Sequence, residues 1–81
     1  MPGTWLDAAI AELEAATDAS LGLTREEVDE LLRLASFAAH ESDARVNAPL
    51  VCYAVGRAAE ASGRPVTELA RIVREASIVA R

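Results

Sequence analysis

Three side chains in the middle of this 81-residue chain have types suited to chemistry: His40, the only histidine, Arg45, and Tyr53, the only tyrosine. An imidazole titrates near neutral pH and can move a proton. A guanidinium can fork onto a carboxylate or phosphate. A phenol can donate a hydrogen bond. Gathered at one turn between two helices, they would make a small catalytic or ligand-binding site. The spacing does not complete one. General-base chemistry needs a nucleophile or a second carboxylate in reach, and none is placed here. No second His or Cys stands at metal-ligand spacing from His40 or from Cys52, the only cysteine. We therefore expect no catalytic residue, no metal and no cofactor. Near a helix C-terminus, a protonated His40 gains ~0.3–1 kcal/mol from the macrodipole. Cys52 lies in the apolar run Ala48–Gly56 and reads as a small buried hydrophobe.

The elements that carry these residues read as four helices, over 5–19, 25–42, 48–62 and 65–80. Thr4 is a good N-cap for the first, and Leu6, Ala9, Ile10, Leu13 and Thr17 form its apolar stripe. Gly22 is the expected left-handed stop. The second helix has the clearest start: Thr24 and Glu27 fit a capping box. Its expected core face is Val28, Leu31, Leu32, Ala35, Ala38, Ala39 and Ser42, with an Asp29–Arg33 pair outside. Asn47 is the expected cap of the third, with Pro49 in its first turn. That helix is apolar nearly all round, so Leu50, Val51, Ala54, Val55 and Ala58 are expected to be buried at the centre. Ala48, Cys52, Gly56 and Ala59 make a small-residue stripe that invites close packing. The fourth helix carries Val66, Leu69, Ala70, Val73, Ala76 and Ala80 on its core face, and Ile72 and Val79 widen the arc. Short connections favour antiparallel neighbours, so the expected fold is all-α, a compact four-helix bundle or array in one domain.

Phe37 is out of step with this scheme. It points nearly opposite to the expected core face of its helix, among Glu26, Glu30, Arg33 and His40, with Leu34 beside it. An aromatic there is either covered by another element, such as the 42–47 turn or helix 4, or exposed for a partner. The candidate interaction residues are accordingly Leu34, Phe37, His40, Arg45, Ile72 and Val79.

Charge narrows the partners. The net charge is −5. Residues 1–43 hold ten acids and two arginines, giving −8; residues 44–81 hold three acids and six arginines, giving +3. The simplest reading is that the halves complement each other. Overall acidity argues against nucleic acid, and the third helix is too apolar to lie in a major groove. Arg71, Arg74 and Arg81 could hold phosphate, but no Gly-rich loop supports that, and a solvated face paired with Glu68 and Glu75 is the simpler expectation. Asp18-Ala19-Ser20-Leu21 differs by an inserted Ala from the Asp-Ser-Leu of acyl carrier proteins, and it follows the first helix rather than opening the second. The longest apolar run is too short to cross a membrane, and the start of the chain lacks a signal-peptide pattern, so a cytoplasmic protein is expected.

The pattern Trp5-Leu6-Asp7, Leu34-Ala35, Ala39-His40, Arg45, Ala48-Pro49-Leu50 and Gly56 resembles a small bacterial helical domain family of unknown function. Its members occur alone, or fused to or encoded near the molybdenum-cofactor guanylyltransferase. The resemblance covers most of the chain. Family members carry more Pro ahead of Ala-Pro-Leu, where this chain reads Arg45-Val46-Asn47. The resemblance implies no activity of its own, only an association with molybdenum-cofactor nucleotide chemistry. The expected function is a non-catalytic interaction or accessory module, acting as a homodimer or on that enzyme. The alternative is a small enzyme or ligand binder at the turn between helices 2 and 3. A core this thin at 81 residues also favours self-association.

Overall fold

The computed structural model describes residues 3–76, and they form four helices with no strand among them. These are α1 (Gly3–Thr17), α2 (Arg25–Ser42), α3 (Asn47–Ser62) and α4 (Val66–Glu75). The all-α four-helix array expected from periodicity is present. Residues 77–81, which include Val79, Ala80 and Arg81, lie outside the described residues, as do the first two.

The start of α2 follows its sequence signal. Thr24 Oγ1 accepts from the Glu27 N–H at 3.1 Å, and Glu27 Oε1 accepts from the Thr24 N–H at 2.8 Å. Several expected ends differ. α1 begins at Gly3, so Thr4 lies inside the helix and does not cap it, and α4 ends at Glu75, where Ala76 is extended, short of the expected 80. α1 stops at Thr17 because Asp18 turns left-handed at φ 57°, four residues before Gly22, which is itself left-handed. α3 begins at Asn47, preceded by Val46 with no side-chain cap. Asn47 instead donates through Nδ2 to Ser42 Oγ at 2.9 Å, tying the two ends of the turn together.

α2, α3 and α4 run up, down and up around Leu34, Val55 and Ala70. Leu34 has no exposed surface. Leu31, Phe37, Val51, Cys52 and Val73 pack against this centre. The face of α2 that turns inward is therefore Glu30, Leu34 and Ala38, with Phe37 covered from within the chain; it keeps Leu31 and Ala38 of the expected stripe but is rotated away from Leu32 and Ser42, which are exposed. Leu32, placed in that stripe, is 53 % exposed. The reason is electrostatic. Glu30 sits among the apolar residues of α2 and is met by arginines of α4, so the charged face can close inward.

α1 packs against none of the other three helices. Its stripe consequently stays open: Leu13 is exposed, and Leu6, Ala9 and Ile10 are half-buried. This also overturns the expected central α3. Only Val55 of its five expected core residues is buried and Val51 half-buried; Leu50 is 61 % exposed, and Ala54 and Ala58 are exposed. The helix is apolar all round, but only two neighbours cover it. Gly56 likewise permits no close approach, since a Cβ built there would meet nothing within 4 Å.

Candidate functional site

Three features of the packed helices gather side chains, and each has a different chemistry. The first is an apolar groove of about 340 Å³ where the C-terminal half of α2, the first turns of α3 and the last turn of α4 meet. Phe37, Ala38, Leu50, Val51 and Val73 line it, with Glu41, Ser42 and Asn47 at its polar edge. Each apolar residue comes from a helix face that the three-helix core only partly uses. Leu50 stands at the mouth. The groove has the residues to bind an apolar side chain, and its hydroxyl and amide edge to orient the chain that carries it.

The second is the buried carboxylate of Glu30, 4 % exposed. Arg71 donates through Nε to Oε2 at 3.2 Å, and Arg74 donates through an Nη to Oε1 at 2.6 Å. Arg33 lies 3.6 Å from Oε1. Both carboxylate oxygens are thus occupied, and the cluster clamps α2 to α4. Arg71 and Arg74 are therefore not the solvated partners of Glu68 and Glu75 that the sequence suggested; Glu68 pairs with Arg64. The hydrogen bond from Arg64 to Glu68 also raises the guanidinium pKa above its usual value. Arg33 turns to Glu30, and Asp29 pairs with Arg25.

The third is the turn between α2 and α3. His40 and Arg45 line one shallow depression with Ala39, Asp43 and Ala44. Tyr53 is not part of it. The phenol lies farther along α3, 65 % exposed, with the Arg57 guanidinium 5.9 Å above its ring. The three residues of the alternative reading are thus split, two at the turn and one on the outer face of α3. Among the described residues no group of His, Cys, Asp or Glu could hold a metal ion. Cys52 donates to the Leu31 carbonyl at 3.7 Å, and burial pushes its thiol above the usual range.

The candidate interaction residues separate in the same way. Leu34 is core and offers no surface, and Phe37 forms a wall of the groove. His40 and Arg45 are exposed at the turn, and Ile72 is 47 % exposed on α4. Val79 lies outside the described residues. Sequence reasoning missed Glu30. Its only sequence signal is an acid set among Val28, Leu31 and Leu34, opposite a helix with Arg71 and Arg74 one turn apart. It also misplaced Leu50, Ala54 and Ala58 in the core, because an all-apolar helix reads as central.

No described helix is long and apolar enough to cross a membrane. The family model for a domain of unknown function, DUF6457, matches residues 2–81, and the chain belongs to that family. No curated protein matches the chain, and no solved structure does.

Proposed function

We propose that this member of a family of unknown function is a non-catalytic helical interaction module that acts on a larger enzyme in the cytoplasm. The observation that carries the reading is the apolar groove bounded by Phe37, Leu50, Val51 and Val73, left open on the surface of the three-helix body. A groove of this size suits one or two apolar side chains of a partner helix. The resemblance in Trp5-Leu6-Asp7 and Ala48-Pro49-Leu50 supports the molybdenum-cofactor guanylyltransferase as that partner, with the nucleotide chemistry residing there.

The test is co-purification of the tagged chain with the guanylyltransferase of the same cell. A complex at micromolar concentration that Leu50→Asp abolishes supports the reading; no complex, or one indifferent to Leu50→Asp, defeats it. The alternative, a small ligand at the α2–α3 turn, is favoured only by His40 and Arg45 sharing a depression. Isothermal titration with inorganic phosphate, with His40→Ala and Arg45→Ala as controls, would reveal such a site.

A further inference from the structure

We infer that α1 is an exchanged arm: in a dimer of this chain, its apolar stripe lies along the outer face of α3 in the second copy. This rests on reading the chain as an interaction module; its surface meets the groove only at Leu50, and the residues that test it, Ile10 and Tyr53, lie outside the groove. Four observations carry it.

The first is that α1 carries apolar residues along one side with no partner helix in its own chain. Leu6, Ile10 and Leu13 stand at i, i+4 and i+7, and no helix packs on them. Trp5 is 78 % exposed. Its connection is built to hold it off the body. Asp18 and Gly22 are both left-handed, the Ala19 N–H donates to Thr17 Oγ1 at 3.3 Å, and the Leu21 N–H donates to Glu14 Oε2 at 2.8 Å. A segment fixed by its own hydrogen bonds is a poor hinge for folding α1 back.

The second is that α3, with Val46 just ahead of it, presents a matching stripe. Val46, Leu50 and Tyr53 have the same i, i+4, i+7 spacing, and all are well exposed. Each triplet spans about 10 Å at 1.5 Å per residue, so the two can pair along their whole length.

The third is charge. α1 carries Asp7, Glu12 and Glu14 and no base. The α3 stripe is flanked by Arg45 and Arg57, and among the described residues neither pairs with a carboxylate. The apolar triplets therefore meet with opposite charges at their edges.

The fourth is area. The chain exposes 6034 Å², whereas a compact monomer of its 8.6 kDa mass exposes about 4,700 Å². Covering the difference in each of two chains buries roughly 2,700 Å², within the range of permanent homodimers. A two-fold pair makes the contact twice, α1 of each chain on α3 of the other.

Light scattering on the full chain at micromolar concentration tests this. The expected result is the mass of two chains. Ile10→Asp, on the arm, and Tyr53→Asp, on the receiving face, should each weaken association about thirtyfold. Because α1 touches no other helix, Ile10→Asp should leave the helical circular dichroism of the rest intact; Leu13→Asp is the second arm variant if it does not. A mixture of the two variants should associate more strongly than either alone, since one of the two contacts then joins a sound arm to a sound face. A one-chain mass unchanged on tenfold concentration overturns the inference. So does a dimer that both variants leave intact, or a mixture that associates no more strongly than either variant alone. A one-chain mass together with a lower melting temperature in Ile10→Asp would mean that α1 folds onto its own chain, which also overturns it. None of these results depends on whether the groove binds an enzyme.

Discussion

The α2–α4 body and α1 are both made from amphipathic sequence, yet only the body has a core. In α2–α4, three apolar faces converge on Leu34, Val55 and Ala70, and a buried carboxylate is neutralised between helices. In α1, the Leu6–Ile10–Leu13 stripe meets none of the other helices. The contrast teaches that an apolar periodicity specifies a face that must be covered, without saying by which chain. The body should therefore carry nearly all the stability of a single chain, and substitutions there and in α1 should differ sharply.

The largest effect is expected at Leu34. Deleting its side chain at a site with no exposed surface should cost about 2–5 kcal/mol, toward the upper end. The whole chain should have only ~4–12 kcal/mol to lose. Urea unfolding would show the midpoint collapse; a shift of a few tenths of a molar would mean that the body is not centred on Leu34.

Next comes the Glu30 clamp. Replacing Arg71 and Arg74 together with Ala strands a buried carboxylate, and should cost about 2–3 kcal/mol. A fully enclosed pair would lose more, but Arg33 stays within 3.6 Å. Glu30→Leu should cost far less than the double replacement, since the arginines it releases reach water. Equal losses in the two variants would show that the cluster contributes by packing and not by charge.

The helices were legible in the sequence where local chemistry decides them. The Thr24–Glu27 box and the span of α2 were of this kind. The inward face of α2 was not legible, because a hydrophobicity pattern scores Glu30 as solvent-facing, and only the arginines of a helix some forty residues away reverse that. Phe37 looked misplaced for the same reason and is properly packed once Glu30 turns inward. α3 failed in the opposite sense. Its apolar circumference was read as a central position, whereas two neighbours cover one side and the rest forms the groove mouth and the Leu50–Tyr53 face. Of the turn site, His40 and Arg45 are together because they are close in sequence, while the helical rotation carries Tyr53 to another face.

A smaller effect, of opposite sign, is expected at Gly56. Nothing lies within 4 Å of a Cβ there, so Gly56→Ala should stabilise the body by up to about 1 kcal/mol through helix propensity. A loss of stability on thermal unfolding would restore the close-packing role suggested by the small-residue stripe. Cys52 gives a pH-dependent test of the same body. Burial raises its thiol pKa in the folded chain, so the unfolded chain ionises it first. The contribution is fully present below the ordinary thiol range and is lost as pH rises through the folded value. Cys52→Ala should therefore flatten the alkaline decline of the melting temperature, and an unchanged decline would place its cause elsewhere.

The smallest effect on a single chain is expected from removing α1 altogether. A chain that begins at Ala19 keeps Leu21 and Leu23, which line a depression with Gly56 and Ala59, and keeps the capping box that starts α2. It loses only a helix that packs on none of the others. At submicromolar concentration its melting temperature should lie within a few degrees of that of the intact chain, a difference of less than about 1 kcal/mol. At higher concentration the two should diverge. Covering the α1 stripe with a second copy stabilises the folded state by mass action, so the intact chain should melt higher as concentration rises, and the shortened chain should not. Differential scanning fluorimetry cannot follow this through the single tryptophan, because Trp5 is removed with the arm; circular dichroism over a hundredfold concentration range can. A shortened chain that melts many degrees lower at every concentration would mean that α1 belongs to the core of its own chain, and the contrast between the two regions would dissolve.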